Sequence, residues 1–369
     1  MDLEGVGPGT PATQRLVILA EGAFGDHSAK TAFGVLRYGS REVVAVIDST
    51  KAPAVVGDIR AIPGRSHVPV VASLEDALAL PRRPDALLIG IAPTGGRLPE
   101  SWKVILLSAI GHGLDIISGL HTFLTDDPDL VAAAAVQGVT LQDVRRPSGP
   151  RTTAVGRRHG PGKRIILTVG TDCAVGKMSA MLELRRAARD AGVSTAFVAT
   201  GQTGIMIEGW GAPVDAVVSD FLQGTVERIV EQGERLGDWV MVEGQGSIDH
   251  PAYSSVTLGL IHGATPHAMV LVHKPGLEDH DFDHLPDRVF PIAPLPGLID
   301  LHERIAAAVA PSKVVAVALN TSLYPDDADA RRVIDGIAVE TGLPCDDPVR
   351  FGPDRLWAAI RERVDALIG

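Results

Sequence analysis

The most explicit chemistry in this chain lies in Gly170-Thr171-Asp172-Cys173-Ala174-Val175-Gly176-Lys177, which has the G-x-x-x-x-G-K spacing of a phosphate-binding loop. Gly170 and Gly176 let the backbone turn tightly and approach an anion, with successive N–H groups pointing inward. Lys177 would place its ammonium among phosphate oxygens, and a helix starting there would aim its positive end at them. A Ser or Thr normally follows the lysine and gives its hydroxyl to Mg²⁺. Met178 stands there instead, a poor ligand for a hard cation, and Ser179 lies one position round the helix. Residues 170–179 therefore promise a pyrophosphate or polyphosphate ligand, while the case for Mg-dependent nucleotide hydrolysis is weakened.

Other groups could act on what the loop holds. Glu243-Gly244-Gln245-Gly246-Ser247 ends the apolar run 238–242. With a metal, Glu243 would bind it directly or through water; without one, it is free to act as a base. Gln202, Thr203 and Gly204 follow the run 195–199 and offer amide and hydroxyl groups to orient a substrate or stabilise an oxyanion. In the first half, Gly95-Gly96 could bring bare N–H groups to an anion, with Arg97 as counter-charge; a flexible connection explains the same residues. His121 is a further candidate for that crevice. His280-Asp281-Phe282-Asp283-His284 invites a metal reading, but histidines at i and i+4 share a face only on a helix. Pro275, Gly276 and Pro286 bracket this stretch as a loop, substrate-facing or solvated, so no metal site is expected.

These groups need rigid elements behind them. Run 164–169 reads as the strand that feeds the loop, and 179–191 as the helix that leaves it. Further short apolar strands alternate with helical segments along the whole chain: 15–20, 43–47, 86–91, 268–273 and 314–319 among the strands, 28–38, 225–236, 327–341 and 354–368 among the helices. That alternation implies an α/β protein with parallel sheets covered by helices on both faces. Strand, glycine turn, helix and strand ending at Asp48 outline a mononucleotide-binding unit, although only Gly22 and Gly25 of its glycine fingerprint remain. A scaffold without a dinucleotide and a working NAD site both fit.

At 369 residues two domains are expected. The boundaries read as a tail over 1–14, a Rossmann-like domain over 15–150, a Pro-, Gly- and Arg-rich linker over 151–163, and a P-loop domain over 164–369. A net charge of −11 argues against nucleic acid as partner. No run approaches the ~20 apolar residues of a membrane span, and two cysteines, Cys173 and Cys345, fit a reducing cytoplasm. A homo-oligomer is expected.

The loop Gly170–Lys177 resembles the G-T-D-x-x-V-G-K loop of dethiobiotin synthetase, a SIMIBI-type P-loop NTPase-like protein, and Glu243-Gly244-Gln245-Gly246 is similar to its V-E-G-x-G segment. The wider set fits a closer family: A-P-x-G-G, G-T-D-C-A-V-G-K-M, G-Q-T-G, V-E-G-Q-G-S and H-K-P-G. It resembles the family long described as a domain of unknown function, whose members include D-glutamate N-acetyltransferases of the DgcN type. That resemblance implies acetyl-CoA as donor and an acidic D-amino acid, D-glutamate, as acceptor, in D-amino acid catabolism. Under it, Gly170, Thr171, Asp172, Cys173, Ala174, Val175, Gly176, Lys177, Met178 and Ser179 would hold the CoA phosphates. Gln202, Thr203, Gly204, Gly95, Gly96, Arg97 and Gln245 would face the acceptor. Glu243 would serve as base, with Asp172 and His262 as alternatives. An ATP- and Mg-dependent ligase or kinase like dethiobiotin synthetase is the rival reading, and a non-catalytic nucleotide sensor a third.

Overall fold

A computed structural model describes residues 13–91, 96, 98–280 and 289–369. Gly95, Arg97, most of the 1–14 tail and the 281–284 part of the histidine-aspartate run lie outside the described residues. Two compact units emerge: one runs to Gly149 and also takes Gly201–Ala216, the other comprises Pro150–Thr200 and Val217–Gly369.

The first unit is built on seven strands: β1 (Leu16–Leu19), β2 (Val43–Ile47), β3 (Ala54–Val55), β4 (Pro69–Val71), β5 (Ala86–Ile89), β6 (Asp115–Ser118) and β7 (Leu141–Asp143), in the order β3-β4-β2-β1-β5-β6-β7. All pairs are parallel except the edge pair β3–β4. Every residue of β1, β2 and β5 is buried. This explains why those stretches are continuous apolar runs without polar alternation: helices cover both faces. The connecting helices are α1 (Lys30–Tyr38), α2 (Val56–Ile59), α3 (Leu74–Leu78), α4 (Trp102–Gly111) and α5 (Pro128–Gln137). Local chemistry sets their ends. In α5, Asp127 accepts from the N–H groups of Asp129 and Leu130, Pro128 occupies the first turn, and Gly138 closes the helix at φ 68°.

The second unit carries six parallel strands in the order β13-β12-β11-β8-β10-β9. They are β8 (Arg164–Gly170), β9 (Thr195–Val198), β10 (Trp239–Val242), β11 (Ala268–His273), β12 (Lys313–Leu319) and β13 (Cys345–Asp346). Around them lie α6 (Lys177–Asp190), α8 (Ser219–Leu236), α9 (Ser254–Ala264), α10 (Leu295–Ala307), α11 (Asp327–Thr341) and α12 (Asp354–Ile368), while the short α7 (Gln202–Glu208) falls in the first unit. β8 sits centrally, so the loop after it opens at the carboxyl edge of the sheet.

The structure differs from the sequence reading in three places. Gln202–Glu208 forms a helix, and its segment groups with the first unit rather than with 164–369: α7 packs on α1, and Arg41 Nη2 donates to Met206 O at 2.6 Å. α10 had no counterpart in the sequence reading. The 151–163 linker is strapped to α8: the N–H groups of Val155 and Arg157 donate to Glu227, and Arg157 and His159 both meet Glu234.

Candidate active site

The loop forms as its spacing requires. Gly176 caps α6 at φ 112° and Ala174 sits at φ 51°, so the backbone passes twice through the left-handed region. Lys177 is buried. Its Nζ donates to Asp172 O at 2.6 Å, and burial pushes the ammonium down to about 8 although Cys173, Asp172 and Glu243 all favour its charge. Thr171 is buried, with Oγ1 3.0 Å from His273 Nδ1; burial holds that imidazole neutral, its pKa lowered to about 4. Beside Val175, Gly176 and Ser179 lies a hollow of 410 Å³, also lined by Leu319, Tyr324 and Val349. Asn320 ties it to the loop by donating to Val175 O at 3.2 Å.

Glu243 follows β10 and is buried. Its Oε2 accepts the Thr200 N–H at 2.8 Å, and Thr200 Oγ1 donates back to Glu243 O at 2.9 Å. Gln245 Nε2 donates to Thr200 O at 2.6 Å. Gly244 is the only residue type its position accepts: a Cβ there would lie 1.7 Å from Thr168 O. Strand ends β8, β9 and β10 are thus knitted together around the loop, and Ser247 Oγ reaches Gly170 O at 2.8 Å.

Asp172 is fully buried. Its Oδ1 accepts from the Cys173 N–H at 2.7 Å and lies 3.3 Å from His280 Nδ1 and 3.9 Å from His250 Nε2. The other nitrogen of His280 is 3.3 Å from Asp249 Oδ2. The imidazole thus lies between two carboxylates, hydrogen-bonded to Asp172 and, among the described residues, without a hydrogen-bond partner on its Nε2. Neither Asp249 nor His250 was singled out by spacing, although both follow the Glu243–Ser247 run within a few residues.

Asp172, Cys173 and His250 each place one ligand-type atom within 4.8 Å of the others, which raises a metal site for them. The donor set does not favour it. His250 Nδ1 accepts the Ala252 N–H at 3.0 Å, so the neutral ring carries its proton on Nε2, the nitrogen facing Asp172.

His262 lies on α9, and its Nε2 meets Ile305 O of α10 at 3.0 Å, joining two helices instead of facing the loop. This corrects its reading as an alternative base. Gln202, Thr203, Gly204 and Gly96 belong to the first unit. There Gln202 Oε1 accepts from Arg145 Nη1 at 2.8 Å, Thr203 Oγ1 lies 3.0 Å from Thr31 Oγ1, and Gly96 accepts the His121 N–H at 2.8 Å.

Comparisons with known proteins agree with this architecture. Residues 152–357 match a domain of unknown function described as the DUF1611 P-loop domain, and residues 55–147 match the DUF1611 Rossmann-like domain. A D-glutamate N-acetyltransferase of Tritonibacter scottomollicae is 39% identical over 78% of this chain and 84% of its own length. One from Pseudoalteromonas sp. is 37% identical over 73% of this chain and 80% of its own length. A crystal structure of a DUF1611 family protein from Anabaena variabilis ATCC 29413 superposes with a TM-score of 0.87 at 40% identity, covering 95% of this chain and all of that one. With both halves matched, in order and on the fold described, the chain belongs to the DUF1611 family of paired Rossmann-like and P-loop domains.

Proposed function

We propose that the protein is an N-acetyltransferase that moves an acetyl group from acetyl-CoA to the amino group of D-glutamate, in D-amino acid catabolism in the cytoplasm. The observation that carries this reading is a lysine-tipped phosphate loop with Met178 where a Mg²⁺-binding hydroxyl would stand. Such a loop suits a carrier whose diphosphate is gripped but not cleaved. The names of the relatives from Tritonibacter scottomollicae and Pseudoalteromonas sp. supply the reaction class and acceptor.

The parts fit the donor. The tight turn ahead of α6, the start of that helix and the Lys177 ammonium suit its diphosphate, and the 410 Å³ hollow beside Gly176 and Ser179 suits an adenine ring. Coenzyme A, when bound, supplies an activated acyl group as a thioester. The acceptor's ammonium must lose a proton before its nitrogen can form the new C–N bond, and the sulfur must gain one as the C–S bond breaks. Glu243 takes the first proton: its carboxylate is fixed by the Thr200 N–H and lies near the Lys177 ammonium. The Asp172–His280–Asp249 array favours a second reading, in which the proton passes to Asp172 and is shared with His280.

Glu243→Gln and His280→Gln separate the two. If Glu243 is the base, the first variant lowers kcat by about 10²–10⁴-fold with donor KM little changed, while the second retains most of its turnover. The opposite ranking moves the role to Asp172 and His280.

A further inference from the structure

In the first unit, motifs far apart in sequence converge on one buried cation. Arg145 follows β7 and is 5% exposed. Its Nη1 donates to Gln202 Oε1 at 2.8 Å, and its Nη2 pairs with Asp215. Its Nε is buried and has no hydrogen-bond partner among the described residues. His121 follows β6 and lies at the same end: a Cβ on Gly96 would come 2.0 Å from its ring, and a Cβ on Gly119 would come 2.9 Å from the Gln202 side chain. Arg145 and Asp215 are near enough to His121 to act on its charge. Burial and the Arg145 charge both lower the His121 pKa, so at neutral pH the ring is an uncharged hydrogen-bonding group. His121 and Arg145 sit past the carboxyl ends of the parallel strands β6 and β7, where open α/β sheets place their ligands.

A buried guanidinium nitrogen without an acceptor leaves the cluster incomplete, since an unmet buried donor is costly. We propose that Arg145, with His121 and Gln202 beside it, binds a carboxylate of the acidic amino-acid acceptor. With Nη1 and Nη2 already engaged by Gln202 and Asp215, the Nε–H supplies one further charge-assisted donor for a carboxylate oxygen. Asp215 already balances the arginine in part, so the site suits a singly charged carboxylate and disfavours a doubly charged phosphate. Asp215 and Gln202 hold the guanidinium plane and so act as positioning residues. The assignment names the acceptor's subsite and rests on the acetyltransferase reading.

Calorimetric titration of D-glutamate into the full-length protein tests it, because binding is read whether or not transfer occurs. Arg145→Lys keeps the charge but removes the fork; Gln202→Glu keeps Arg145 but places a carboxylate beside it. Each variant is expected to weaken D-glutamate binding at least about tenfold, with Kd for coenzyme A within about threefold of wild type. A merely structural role would instead lower Tm and both affinities together, or neither. Unchanged D-glutamate affinity in a folded Arg145→Lys protein overturns the proposal, as does wild type that fails to bind D-glutamate. Wild type that binds D-glutamate through Arg145 yet transfers no acetyl group retains the carboxylate site and removes the transferase reading. Transfer that proceeds with unaltered acceptor KM in both variants does the reverse.

Discussion

Burial brings the Lys177 ammonium to a pKa of about 8, and this makes its charge adjustable in the working range. Because the folded value lies below the unfolded one, the unfolded chain holds more protons between about 8 and 10.5, and stability contributed by this group rises across that window. Binding of a diphosphate has the opposite dependence. The anion prefers the charged lysine, so coenzyme A affinity is expected to be flat below pH 8 and to fall by up to about tenfold per unit above it. Calorimetry in buffers of different ionisation enthalpy near pH 8 should show proton uptake on binding; none is expected in Lys177→Met, which should also bind at least about tenfold more weakly. Binding that is indifferent to pH from 7 to 9.5 would remove Lys177 from the donor site.

At the scale of elements, the site depends on how closely three strand ends approach. Gly244→Ala would drive a methyl group to within 1.7 Å of Thr168 O and separate β10 from β8. The expected cost is about 3 kcal/mol, the upper end for overpacking, read as a shift in the urea midpoint. The strap 151–163 is held through Glu234, which is buried and accepts from Arg157, His159 and the Gly160 N–H. Burial works against its charge, yet those partners prevail and hold its carboxyl below the usual range. Glu234→Gln is expected to cost about 2 kcal/mol and to free the strap for proteolysis before the domain unfolds. An unchanged cleavage pattern would mean that Glu227 holds it alone.

The phosphate loop and its strand and helix were legible because their chemistry is local: the positive φ at Ala174 and Gly176 and the lysine are all encoded within residues 170–179. Glu243 and its glycines were readable for the same reason. His280 was not, since its carboxylate partner Asp172 is 108 positions away and only the sheet's order brings them together. Arg145 lies near the end of the 15–150 stretch with no local mark of a ligand group; its partner Gln202 lies 57 positions on. His262 misled because a histidine near the end of a helix carries no mark of the carbonyl it will meet.

For the whole molecule, the division into units does not follow a single cut in the chain. Gly201–Ala216 leaves the second unit after β9 and joins the first, where Ile205, Met206, Ile207 and Val214 are buried. A chain shortened to residues 150–369 would carry this segment without its partners. It is expected to aggregate or bind a hydrophobic dye, whereas a soluble monomer with one cooperative transition would show the segment to be dispensable. Among the described residues no helix is long and apolar enough to cross a membrane.

A phosphate loop that holds a carrier whose phosphorus atoms do not react leaves a distinct chemical signature. The most direct measurement is thiol release from acetyl-CoA by the purified protein, with D-glutamate present and a chelator added. Free thiol should appear in step with N-acetyl-D-glutamate and at the same rate with or without Mg²⁺. Absence of thiol release, together with Mg²⁺-dependent formation of ADP from ATP, would contradict it.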